Sequence, residues 1–101
     1  KIIGQFFNQK IMNANLHVTN NKNEYYQLAM QYFQNINRAE YGDINYDDIL
    51  SKSISILIDH GFIPTPCIEI KLELSKAEKK IGNYFLYVDE NKKFIDEFLI
   101  I

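Results

Sequence analysis

The run Asp43-Ile44-Asn45-Tyr46-Asp47 has the alternate spacing with which a calcium loop presents its first oxygen ligands. Such a loop also needs a glycine at its sixth position for a sharp turn. At its twelfth it needs a glutamate to close the coordination sphere with two oxygens. Here those positions hold Asp48 and Ile54. The ligand set is incomplete, and a loop leading into a helix cap explains the same residues. His17, His60 and Cys67 are the soft metal ligands, and none stand at the short spacing of a zinc site. A Cys–His nucleophile pair would require the fold to bring Cys67 to one of the histidines. Carboxylates are plentiful, but no spacing marks an acid–base pair, and four scattered glycines make no phosphate loop. No catalytic centre, metal site or cofactor is expected, and the chain reads as a non-enzyme.

Surface chemistry is the stronger signal. From Glu40 to Asp48 the chain carries carboxylates at Glu40, Asp43, Asp47 and Asp48, tyrosines at Tyr41 and Tyr46, and no basic residue. Tyrosine offers large contact area at low entropic cost, and a carboxylate cluster steers towards a basic partner. The expected partner contacts are therefore Glu40, Tyr41, Asp43, Tyr46, Asp47 and Asp48. The competing account is a solvated loop whose acids cap a helix and whose tyrosines fold inward. A second candidate is the apolar end Phe98-Leu99-Ile100-Ile101. As an edge strand it needs cover from the chain's own helices, from a second copy or from a partner's strand.

The elements that position these residues must fit one core. With 101 residues, 47% of them hydrophobic, the chain makes a single domain, here 1–101. The formal net charge is −2 and Arg38 is the one arginine, so direct nucleic-acid binding is not expected. Cys67 has no partner for an intrachain disulfide, which suits a reducing compartment. No apolar run has bilayer-spanning length and no signal peptide opens the chain, so a cytoplasmic setting without membrane contact is expected. The first residue is Lys1 and not methionine, which leaves a removed leader open.

Apolar residues at helical spacing predict a short helix over 2–14. A second runs from an Asn21/Glu24 capping pair to about Arg38. A third runs from an Asn45 cap through Leu50, Ile54, Leu57 and Ile58 to His60-Gly61. Residues 61–66, Gly-Phe-Ile-Pro-Thr-Pro, form a hinge between a helical half (1–62) and a sheet half (63–101). Ile68, Ile70, Leu72 and Leu74 alternate strictly with Glu69, Lys71 and Glu73, the mark of a strand with one dry and one wet face. A second strand follows over 83–88. The last segment reads either as a hairpin turning at Asp89–Lys92 and returning from Phe94, or as a helix, and the hairpin is favoured.

The predicted class is α+β, three N-terminal helices packed on a small C-terminal antiparallel meander. In layout this resembles the small acidic immunity proteins of bacterial contact-dependent growth inhibition and polymorphic toxin systems. The likeness is carried by the segment Glu40 to Asp48, its helix through His60-Gly61, and the strands from Ile68. It implies a cytoplasmic, non-catalytic protein, monomer or homodimer, that binds and blocks one cognate toxin domain. Two alternatives are an inhibitor of a host defence complex carried by a mobile element, and a small enzyme or ligand-sensing domain.

Overall fold

The computed structural model of the chain describes residues 18–36, 42, 44–59, 61–64 and 66–101. The expected helix over 2–14 lies outside them. The described elements are one helix, α1 (Lys22–Gln34), and four strands, β1 (Asp48–Leu57), β2 (Cys67–Lys76), β3 (Lys79–Val88) and β4 (Phe94–Ile100). The strands form one antiparallel sheet in the order β1-β2-β3-β4. The expectation of three helices on a small meander is overturned: the described chain is mostly strand, with α1 laid against β2 and β3.

The largest correction falls on 45–60, which holds β1 and not a third helix. The segment from Ile49 to Ile58 contains four isoleucines and three serines. Each is a mediocre helix former, together costing roughly 3 kcal/mol against alanine. As a strand, Ile49, Ile54 and Ile56 instead stand opposite Leu74, Ile70 and Ile68. The pairing is interrupted between Ser51 and Ser53, where Lys52 is an extra, bulged residue. The bulge resets the alternation, so inward positions are odd-numbered before it and even-numbered after it. That broken period placed Leu50, Ile54, Leu57 and Ile58 on what looked like a helical stripe. The sheet therefore begins at Asp48, inside the half read as helical.

Elsewhere the pattern is direct. Ile68, Ile70, Leu72 and Leu74 are fully buried on the inner face, opposite Val88, Leu86, Tyr84 and Gly82 of β3. Burying each aliphatic side chain contributes about 2 kcal/mol, so this row dominates the fold. α1 covers it with Tyr25, Ala29 and Phe33, spaced one helical turn apart and all buried. Asn21 precedes α1 without making a side-chain capping bond, so the helix is held by packing more than by its expected cap. The last segment is a strand. Its turn at Asp89–Lys92 uses the Asp89 carboxylate to accept the Asn91 and Lys93 amides at 2.8 and 2.9 Å, and Lys92, not Asn91, takes the left-handed conformation. Gly82 lets the end of β4 close in: a Cβ there would lie 2.5 Å from the Ile100 carbonyl oxygen.

Candidate functional site

The acidic segment is divided by the fold. Glu40, Tyr41 and Asp43 lie outside the described residues. Tyr46 is half-buried and turns inward, its ring edge-on to Phe33 at 5.5 Å. The Asp47 amide donates to the Ser75 carbonyl at 3.0 Å, and its carboxylate accepts the Ala77 amide at 2.9 Å. Asp47 thus braces the β2–β3 turn from 30 residues away. Asp48 opens β1, is exposed, and faces Ser75, whose other neighbour is Lys80. Lys76, Lys79 and Lys80 are exposed at the same hairpin. Of the six expected contacts the described residues bring three together. Of those three, Asp48 alone is free of a structural duty.

The candidate chemistry is equally dispersed. His17 and His60 lie outside the described residues. Cys67 is 1% exposed, and burial followed by the Glu69 charge pushes its thiol above the ordinary range. Such a thiol is a core side chain and not an activated nucleophile. Among the described residues no three potential metal ligands gather. Asp47 and Asp48, the later oxygens of the calcium-like run, lead into a strand. A shallow depression of about 330 Å³ is lined by Thr19 to Glu24, and another of about 300 Å³ by Leu28, Gln31, Tyr32 and Asn35. Neither includes Cys67 or a histidine.

The outer face of the sheet departs most from expectation. Its charged row was to be plainly wet, yet Cys67, Tyr87 and Ile63 are buried there, with Leu57, Phe85 and Ile95 packed around them. Tyr87 stands opposite Glu69 and donates its hydroxyl hydrogen bond to that carboxylate at 2.7 Å. Phe85 sits beneath the Lys71 ammonium at 5.7 Å and opposite Phe98, whose ring meets Tyr87 edge-on at 5.7 Å. Glu73 lies between Lys52 and Lys80, 3.9 and 3.8 Å away. The missed signal is the unbroken run Tyr84-Phe85-Leu86-Tyr87-Val88. A strand apolar at every position is covered on both faces.

The two edges of the sheet differ. β1 is broken near its middle by the bulged, charged Lys52, while Ser53 to Leu57 carry no further bulge, charge or proline. β4 is blunted only at its start. Ile95 is bulged, Asp96 follows it, and Glu97 points to the inner face, where it accepts the Tyr84 hydroxyl at 2.6 Å. From Phe98 to Ile101 there is no bulge, charge or proline. Phe98 and Ile100 are 43% and 60% exposed on the outer face. Among the described residues no strand pairs with this edge. Comparison with protein families, with curated proteins and with solved structures finds no match to this chain.

Proposed function

We propose that this chain is a non-catalytic module that acts by binding protein. The observation that carries this is the end of β4, an edge left apolar and without bulge, charge or proline from Phe98 to Ile101.

The particular partner we propose is a toxin domain with a basic surface, blocked as immunity proteins block their cognate toxins. The exposed Asp48 and Asn45 support this by giving the acidic segment a solvent-facing element. The helical layout on which the family likeness leaned is absent from 45–59, so the proposal rests on charge and not on architecture. Co-expression with the toxin domain encoded beside its gene tests it. Growth is rescued, a complex forms, and affinity falls as salt rises. Asp48→Ala weakens that complex by about 2- to 5-fold, the scale of a rim charge. Asp47→Ala instead lowers the melting temperature. Lack of a toxin domain beside the gene, undiminished growth arrest or salt-insensitive affinity overturns this partner.

A further inference from the structure

We propose that the open end of β4 pairs antiparallel with the same strand of a second copy, about a two-fold axis through Leu99. This rests on the chain being a protein-binding module and names what occupies its edge. A two-fold axis perpendicular to a sheet sets residues of the same face opposite each other, so it passes through a residue and not between two. Few registers are then available. With the axis at Glu97, glutamate meets glutamate. At Phe98, Asp96 lies against Ile100 and Glu97 against Leu99, which sets both carboxylates of each copy against aliphatic side chains.

At Leu99 the strand complements itself. Leu99 meets its copy on the inner face, and Phe98 meets Ile100 on the outer face. These two outer side chains are the ones the single chain leaves most exposed along this stretch of β4 before Ile101. Glu97 falls opposite Ile101 at the margin, already holding the Tyr84 hydroxyl. The two copies of Glu97 stand four positions apart along the seam, about 13 Å. That exceeds the Debye length of about 8 Å at physiological salt. The strand's own charges disfavour the axes at Glu97 and Phe98, and the axis at Leu99 is the one that sets the exposed Phe98 against the exposed Ile100. The product is a continuous sheet with β4 at its centre and both β1 strands at its rims. Asp48 of each copy stays accessible, so the pair presents its acidic segments twice.

Sedimentation equilibrium on the full chain, from about 1 to 300 µM, spans the range in which a mass-action dimer changes population. A concentration-dependent dimer is expected. Phe98→Glu and Ile100→Lys each raise its dissociation constant by about tenfold or more. Combined, they set the introduced carboxylate of one copy against the introduced ammonium of the other and restore pairing to within about threefold of the unsubstituted chain. Circular dichroism confirms that each variant remains folded. A chain that is monomeric throughout overturns the inference, as does a dimer indifferent to both substitutions or one the double variant fails to restore. A monomer that still holds the toxin domain overturns the dimer and leaves the binding-module proposal standing.

Discussion

Tyr87 and Glu69 were legible separately, one in an apolar run and one in an alternating strand, and the fold makes them a unit. Burial first, and then the hydrogen bond and charge of Glu69, hold the Tyr87 phenol protonated well above its ordinary value of 10.0. The unfolded chain gives up that proton near pH 10 while the folded chain keeps it. The tyrosine's contribution is therefore whole below pH 10 and is lost as the pH climbs towards the folded-state value. Cys67, Tyr25 and Tyr26 are shifted in the same direction, each chiefly by burial, so the decline begins near pH 9 with the thiol. Melting temperature measured from pH 8 to pH 11 (about the range these groups span) should fall steadily above pH 9. Tyr87→Phe should cost about 1 kcal/mol at neutral pH and make the alkaline fall shallower. An unchanged slope would mean that the phenol ionises as freely in the folded chain as in the unfolded one.

At the scale of elements, what could be read from the sequence depended on whether a strand keeps its period. β2 alternates without interruption from Ile68 to Leu74, so its inner face was plain from residue types, but its continuation to Lys76 and the start of β3 at Lys79 instead of 83 were not. β1 was unreadable because one bulged residue, Lys52, shifts the inward positions and imitates helical spacing. The acid cluster misled for a related reason. Asp47 looks like a surface charge until the β2–β3 turn is beside it, and no local pattern records a contact across 30 residues. That turn also carries a fault. Ala77 and Glu78 both have left-handed backbone angles, φ 50° and 66°, at positions a two-residue hairpin fills with asparagine and glycine. The Asp47 carboxylate holds it in place from outside. Replacing Ala77→Asn and Glu78→Gly together should raise stability by about 1 kcal/mol, seen as a higher urea midpoint with an unchanged slope. In that background Asp47→Ala should cost less than it does alone, because a turn that is favoured locally depends less on a distant brace.

For the molecule as a whole, the two faces of the sheet are protected unequally. Among the described residues α1 is the main cover of the inner face, joined by Val18, Ile36, Ile44 and Tyr46, and Phe33 is where that cover is pinned. Its ring lies 5.3 Å from Tyr84 of β3 and 5.5 Å from Tyr46, which leads into β1. One side chain therefore joins the helix to the middle of the sheet and to the segment entering its first strand. The outer face has no such cover among the described residues and relies on small clusters around Cys67 and Tyr87, so most of the cooperativity must pass through the inner layer. Phe33→Ala should cost about 3 to 5 kcal/mol, a large fraction of the roughly 5 to 15 kcal/mol by which such domains are stable. Because Tyr46 loses its edge contact at the same time, amides at the start of β1 should lose hydrogen-exchange protection together with those of α1. Amides at the centre of β2 and β3 should lose it only with global unfolding. If exchange instead rose in α1 alone, with urea stability nearly unchanged, the helix would be an accessory on a self-sufficient sheet. A sheet of four strands whose outer face buries only a small cluster is a poor candidate for that independence, so we expect helix and sheet to unfold as one unit.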